Sequence, residues 1–307
     1  MKVLVTGATG LIGRALVETL LASGHEVTAL VRGGRSLPGV TTLELDGLTQ
    51  ADILRAMEPA KDARYDAAIN LAAAGVAPSD RDPERLVAVN AVFPSAFAAA
   101  ARQSGAEVFL QVGSCSEYAP CASPIPETAP LERHALYGAT KAAGGILVQS
   151  TGASIGLDVA VLRVFNVYGP GEKPHRLLPS LATRLARGET VALSDGLQVR
   201  DYLGVDEVCL RLALFLDAFR KDRGLAGEYN LGSGVPRTVA DFARSVARVL
   251  GASEALLDFG ALPRRPDDRP EVVAATDKLA AAIGQVPVAD LEQHLGGMCR
   301  KEATAGT

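Results

Sequence analysis

KVLVTGATGLIGRALVETLLA, residues 2–22, sets the fold class. Residues 2–6 are a short run with little polar alternation, the pattern of a strand covered on both faces of a parallel sheet. Residues 11–22 repeat apolar positions at helical spacing and stop at Ser23-Gly24, a C-terminal signal. The joint between them is Gly7-Ala8-Thr9-Gly10-Leu11-Ile12-Gly13, spaced G-x-x-G-x-x-G rather than the more often quoted G-x-G-x-x-G. Glycines allow a tight turn and bring backbone N–H groups up to a pyrophosphate at the helix N-terminus, where the macrodipole favours negative charge. At the first strand–helix junction, this stretch predicts dinucleotide binding.

Further along the chain, strands are expected at 26–31, 41–45, 66–71, 107–112 and 158–164, with helices near 50–58 and 134–151. Asp82-Pro83 caps and opens another helix running to about Ser104. This alternation predicts an α/β fold, a Rossmann-type doubly wound parallel sheet. After Val164 the rhythm breaks at Pro170, Pro174 and Pro179. Helices follow at 178–187, 205–219, 238–250 and 277–283, strands near 190–193 and 227–231, and a Pro/Arg-rich segment at 263–270. Residues 1–166 are expected to form the dinucleotide-binding domain, with the chain returning to it near 195–231. Residues 167–194 and 232–301 are expected to form a smaller, interleaved α/β substrate-binding region, and 302–307 a frayed tail.

The composition is that of an ordinary globular chain, with 307 residues, 48% hydrophobic and 21% charged, and a formal charge of −4. No run of like charges points to nucleic acid or an anionic membrane. No apolar run approaches the roughly 18–20 residues of a membrane span, and the N-terminus does not read as a signal peptide. The four cysteines are far apart, without metal-ligand spacing, so no metal is expected and a reducing cytoplasm is the expected location.

The second strand ends Leu30-Val31-Arg32. An acid at the position of Val31 would bind a ribose 2′-hydroxyl and repel a 2′-phosphate. Arg32 and Arg35 instead offer charge-assisted bonds to that phosphate, which favours NADP(H) over NAD, unless they are two stray arginines of a solvated loop. Asp46, closing the third strand, is either an acceptor for the adenine amino group or a turn aspartate.

Tyr137-Gly138-Ala139-Thr140-Lys141 puts a phenol and an ammonium on one helix face. A nearby lysine charge favours phenolate, so Tyr137 is expected to exchange protons with a carbonyl or alcohol near neutral pH. Ser114, in Val112-Gly113-Ser114-Cys115-Ser116-Glu117-Tyr118, falls at the C-terminal edge of the sheet, where such folds place ligands. Its hydroxyl suits the reacting oxygen.

With TGATGLIG (6–13), NLAA (70–73), VGSCSEY (112–118), YGATK (137–141), RVFNVYGP (163–170), VRDYLGVDEV (199–208) and YNLGSG (229–234), the chain resembles the extended short-chain dehydrogenases/reductases. The likeness is to their epimerase/dehydratase, nucleotide-sugar branch, and it runs in the family's order over nearly the whole length. It implies Ser114, Tyr137 and Lys141 as a catalytic triad, Lys141 also reaching the nicotinamide ribose. It implies Gly47, Leu71, Ala72, Ala73, Val164 and Phe165 beside the cofactor. Asn166 and Arg200 are implied near a nucleotide diphosphate, with Arg265 reaching a phosphate and Ser116, Arg176 and Leu177 lining the sugar pocket. Pro94 has no N–H, so the Asn90 carbonyl lacks its i+4 donor. Either this only kinks the helix, or Asn90 resembles the family residue whose free carbonyl holds a proton-relay water. The helix 83–104 and the one holding Gly144-Gly145 are implied as a homodimer interface.

There are departures. The family's sugar 4,6-dehydratases carry Asp-Glu directly after the catalytic hydroxyl residue, where this chain has Cys115 and Ser116, with Glu117 one place late. Its 4-epimerases keep NAD and usually have the second-strand acid. Its GDP-fucose-synthase-like members place a cysteine and a histidine where Ser116 and Arg176 stand, and Cys115 and His175 are each off by one. The expected activity is therefore NADPH-dependent reduction of a nucleotide-linked keto-sugar, an NDP-4-keto-6-deoxyhexose. The alternatives are a redox-neutral epimerase with tightly bound NAD and a non-catalytic dinucleotide sensor.

Overall fold

Val3 and Val5 of strand β1 (Lys2–Thr6) pack into one core cluster and Leu4 into another, all three fully buried. A strand with apolar side chains on both faces must be sandwiched between helices, and the sheet is built accordingly. The structure is a computed structural model describing residues 1–76, 80–265 and 268–305, with side chains of the last helix as far as Met298. Strands β2 (Glu26–Val31), β3 (Thr41–Glu44), β4 (Ala67–Asn70), β5 (Val108–Ser114) and β6 (Asp158–Val164) join β1 in one seven-stranded parallel sheet. Its order is β10-β6-β5-β4-β1-β2-β3, where β10 is Gly227–Leu231. The order reverses between β1 and β4, which opens a crevice at their carboxyl ends, the usual ligand position of such sheets.

Helices α1 (Leu11–Ala22), α7 (Val205–Lys221) and α9 (Asp277–Ile283) cover the face that buries Leu16, Leu20, Leu212 and Phe215. On the other face α2 (Gln50–Met57), α4 (Phe93–Gln103) and α5 (Leu136–Ile155) pack around Phe93, Phe97 and Phe109. Asp82 caps the short α3 (Pro83–Leu86), as expected. Between α3 and α4 the helix widens to a π turn at Val87–Val92, where the Phe93 N–H donates to the Ala88 carbonyl five residues back. Pro94 cannot donate to Asn90, and the ladder slips by one residue there.

A second sheet centres on β9 (Val199–Gly204), paired with β7 (Asn166–Tyr168), β11 (Pro236–Thr238) and β13 (Glu271–Val272); β8 (Val191–Leu193) pairs with β12 (Leu257–Phe259). Helices α6 (Leu177–Ala186), α8 (Val239–Val249) and α10 (Leu291–Ala305) enclose a third core around Phe242, Leu181 and Leu295. β9 and α10 correct the sequence reading. Leu291, Leu295 and Met298, one or two turns apart, are buried in that core, so helix replaces the predicted frayed tail as far as Ala305. Residues 306 and 307 lie outside the described residues, as do 266 and 267 of the Pro/Arg-rich segment. No helix among the described residues is long and apolar enough to cross a membrane.

Candidate active site

The glycine turn is as tight as its spacing requires. Gly7 has φ +72°, and a methyl group there would sit 2.4 Å from the Leu71 carbonyl carbon. One on Gly13 would sit 2.2 Å from the Gly7 oxygen, so the first turn of α1 lies directly on the loop. The Asn70 carboxamide holds the neighbouring strands together. Its oxygen accepts from Thr6 Oγ1 at 2.6 Å and the Ala72 N–H at 3.0 Å, while its nitrogen donates to Gln111 Oε1 at 2.8 Å.

A cleft of about 460 Å³ opens above this turn, lined by Gly7, Thr9, Gly10, Val31, Arg32, Arg35, Leu71, Ala72 and Ala73. Leu45 and Leu48 line it too; between them Asp46 is exposed, and a methyl group on Gly47 would collide with the Asp52 carboxylate. Arg32 and Arg35 are exposed and have no ion-pair partner among the described residues. Leu11 faces Gly171, and the Ile12 carbonyl accepts from Cys209 Sγ at 3.6 Å. The close-packed turn and the two free guanidinium groups suit a dinucleotide with a phosphate at its outer end.

Ser114 is the last residue of β5 and Tyr137 the second of α5. The entry to α5 is organised by the Glu132 carboxylate, which accepts from the N–H groups of Arg133, His134 and Ala135. Those bonds, His134's first, hold its carboxyl below the usual range. Gly138 lets the helix lie against the turn after β5, because a methyl group there would sit 2.1 Å from the Ser116 oxygen. This brings the Ser114 side chain beside the Tyr137 phenol, while its Oγ accepts from the Ser116 N–H at 3.1 Å.

Lys141 behaves differently from the sequence expectation. It is buried, and its Nζ donates to the Val112 carbonyl at 2.7 Å. Burial holds its pKa below that of a free lysine, against the opposing pull of Glu117. The Tyr137 phenol is pushed up to about 12, because its loss of solvent outweighs the Ser114 hydrogen bond and the Arg176 charge. The phenol is therefore held as a proton donor rather than drawn toward phenolate.

Glu117, one residue late for a dehydratase acid, is turned inward. Its Oε1 accepts from the Ser114 N–H at 2.8 Å and its Oε2 from Arg163 Nε at 2.9 Å. Arg163 Nη1 also donates to the Tyr118 hydroxyl at 3.1 Å, and that hydroxyl donates to Asn230 Oδ1 at 2.6 Å. The serine is thus anchored from β6 and β10. Cys115, beside it, is buried, and its thiol is pushed up to about 11.

The residues expected at the substrate are dispersed over several elements. Val164 ends β6 opposite Ser114, followed by the buried Phe165 and then Asn166 in β7. Ser116 is half-buried in the turn after Ser114. Arg200 of β9 pairs with Asp268 and donates to its neighbour's Val199 carbonyl at 2.8 Å. Arg176 meets Glu172 at 3.3 Å just before Leu177 opens α6. Arg265 is exposed. Asn90 is clamped by its side chain, accepting from the Ala74 N–H at 2.9 Å and donating to the Ala74 carbonyl at 3.1 Å. Its carbonyl lies so near α5 that a methyl group on Gly144 would sit 1.9 Å from it.

Two contributors escaped the sequence reading. Arg269 donates to the carbonyls of Cys115, Tyr118 and Ala119 at 3.2–3.3 Å. Asp201, fully buried in β9, accepts from Ser233 N and Oγ, Gly234 N and Ala274 N, drawing the YNLGSG segment onto the second sheet. Asp201 lies inside the quoted VRDYLGVDEV string and Arg269 inside the Pro/Arg-rich segment 263–270, but neither string marks them out. No group of His, Cys, Asp or Glu among the described residues is arranged to hold a metal.

The family model described as "NAD dependent epimerase/dehydratase family" matches residues 3–232. A dTDP-glucose 4,6-dehydratase of Streptomyces griseus is 31% identical over 95% of this chain and 91% of its own length. A UDP-glucose 4-epimerase of Mycolicibacterium smegmatis is 32% identical over 83% of this chain and 84% of its own. The solved Thermus thermophilus UDP-glucose 4-epimerase, in complex with NAD, superposes with a TM-score of 0.83 at 30% identity, covering 99% of this chain and 100% of that one.

Proposed function

The chain belongs to the NAD dependent epimerase/dehydratase family, and from that premise we propose that it reduces a nucleotide-linked keto-sugar with NADPH, specifically the 4-keto group of an NDP-4-keto-6-deoxyhexose. The turn after Ser114 carries this reading. Cys115 and Ser116 occupy the Asp-Glu positions of the dehydratases, the Cys115 thiol stays protonated at neutral pH, and Glu117 is committed to Ser114 and Arg163. Elimination of water therefore has no free acid and base there, whereas the groups for carbonyl reduction are all present.

Residues 1–166, with β10 of the returning segment near 195–231 completing their sheet, would hold the dinucleotide. Gly7, Thr9, Gly10, Leu11, Ile12 and Gly13 would take the pyrophosphate, and Arg32 and Arg35 a 2′-phosphate. Asp46 and Gly47 would lie by the adenine, and Leu71, Ala72, Ala73, Asn90, Val164 and Phe165 nearer the nicotinamide. When bound, NADPH supplies a hydride to the keto carbon. Tyr137, protonated up to about 12, donates the proton that makes the substrate oxygen a hydroxyl. Ser114 holds that oxygen, and the Lys141 ammonium, one helical turn from Tyr137 but bonded to the Val112 carbonyl, stabilises the phenolate left behind only on leaving that carbonyl. Asn166, Arg176, Leu177, Arg200, Arg265 and Ser116, in the region of residues 167–194 and 232–301 and at its border, would bind the nucleotide sugar. Exposed Val87, Val92, Ile146 and Leu147 on the α3–α4 and α5 helices support a homodimer through that face.

The test is NADPH oxidation with a panel of dTDP-, CDP-, GDP- and UDP-linked 4-keto-6-deoxy sugars. Turnover is expected with at least one, and inertness toward all would overturn the substrate class. The similarity to two UDP-glucose 4-epimerases, one of them in complex with NAD, supports a second reading as a redox-neutral epimerase. That reading predicts NAD co-purifying with the protein and sugar interconversion without net NADPH oxidation.

A further inference from the structure

Arg269 comes from the Pro/Arg-rich segment, about 150 residues beyond the turn it touches. Its Nη1 donates to the Tyr118 and Ala119 carbonyls at 3.2 and 3.3 Å, and its Nη2 to the Cys115 carbonyl at 3.3 Å. Cys115–Glu117 is a single 3₁₀ turn, and its carbonyl end is where a cation is favoured. The planar fork of a guanidinium spans three acceptors at once, which a single ammonium does not match. The adjacent Asp268 points the other way, pairing with Arg200 and accepting from Gln198 Nε2 at 2.9 Å. Residues 268 and 269 therefore bracket the Ser114 turn and strand β9 together.

We propose that Arg269 is a positioning residue for the proton transfer, acting through the Ser114 turn. Its three bonds hold that turn in the geometry that aims the Ser114 hydroxyl at Tyr137, and Asp268 links that geometry to the strand bearing Arg200. Glu117 fixes the start of the turn from inside the sheet, and Arg269 fixes its end from a segment about 150 residues later. The role rests on the carbonyl reduction proposed above. The conformation it maintains does not, and can be read without turnover.

The experiment labels the tyrosines with ¹³C at the ring carbon bearing oxygen and records NMR spectra at pH 8 in the presence of NADP⁺. The Tyr137 resonance is assigned by its loss in Tyr137→Phe. In Arg269→Met it is expected to shift as the turn, and with it the Ser114 hydroxyl beside the phenol, moves off the start of α5, and in Arg269→Lys to return part of the way. With an active keto-sugar substrate, kcat for Arg269→Met should fall on the order of 10²-fold, as for a misplacement of about an ångström, with KM within about twofold. An unmoved Tyr137 resonance in the Met variant overturns the proposal. So does a rise in KM with kcat preserved, which would make Arg269 a substrate ligand. If Arg269→Met does not fold, Arg269→Lys alone decides, and a wild-type resonance there overturns it equally. Wild-type inertness toward every keto-sugar would sink the proposed function and leave the resonance test standing.

Discussion

Glu117 and Arg163 meet at 2.9 Å with side chains only 1% and 3% exposed. Both charges have left water, and their mutual attraction with the surrounding hydrogen bonds makes that tolerable. The pair is a support for Ser114, whose N–H donates to the same carboxylate.

Neutralising one partner should therefore be costly. Glu117→Gln leaves the buried guanidinium only the part-exposed Glu228 at 4.0 Å as counter-charge, and a loss of up to about 3–5 kcal/mol is expected. Urea denaturation should show a lower midpoint with an unchanged slope. An unaffected midpoint would mean that water reaches Arg163 in the folded protein.

Tyr137→Phe removes the proposed proton donor while keeping the ring. The rate of keto-sugar reduction should fall by roughly 10²–10⁴-fold, the usual contribution of a positioned acid. Calorimetric affinity for the nucleotide sugar should change little. Retained turnover would move the proton donor elsewhere.

The choice of cofactor is testable at Arg32 and Arg35. Replacing both by Ser should weaken NADPH binding by about 10–100-fold through loss of charge-assisted bonds, with NADH affinity nearly unchanged. Fluorescence titration with each cofactor reads the ratio. Parallel losses for both cofactors would rule out a 2′-phosphate contact.

His294 predicts a pH dependence. Its Nε2 lies 2.8 Å from Asp206 and its Nδ1 3.4 Å from Glu207, and these bonds, Asp206's first, raise its pKa from 6.5 to about 9. Because the folded value is the higher one, the stabilisation is full below pH 6.5 and fades as pH rises through about 9. Roughly 1–3 kcal/mol is at stake, discounted for the exposed Asp206. Melting temperatures from pH 6 to 10 should converge between the wild type and His294→Gln at the alkaline end. A constant gap would refute the charged pair.

Local signals carried the first half of the chain. The bounds of β1, α1, β2 and β6 follow from periodicity and caps within the segments themselves, and Ser114, Tyr137 and Lys141 from their spacing. Strand β9 was not legible, because its partners β7, β11 and β13 lie some 30–70 residues away and its side chains do not alternate cleanly. Helix α10 was masked by Gly296-Gly297, while the core that holds Leu291, Leu295 and Met298 comes from other segments. Within the site, Arg269 acts on carbonyls about 150 residues away and Glu117 on the Ser114 N–H three residues back, and a list of side chains contains neither backbone group. The lowering of the Tyr137 pKa expected from Lys141 failed for a related reason. The Val112 carbonyl takes the ammonium, and burial of the phenol prevails.

The position of β10 also bears on how the protein is made. It pairs with β6 at one edge of the main sheet, yet it is synthesised only after the segment containing β7, β8, β9 and α7. A nascent chain that has completed β6 therefore carries an unpaired hydrogen-bonding edge until Gly227–Leu231 leaves the ribosome. A fragment stopping at Val164 should self-associate, detectable by light scattering, and adding a peptide with the β10 sequence should suppress it. Protection of that edge during translation would then be a requirement of this chain order.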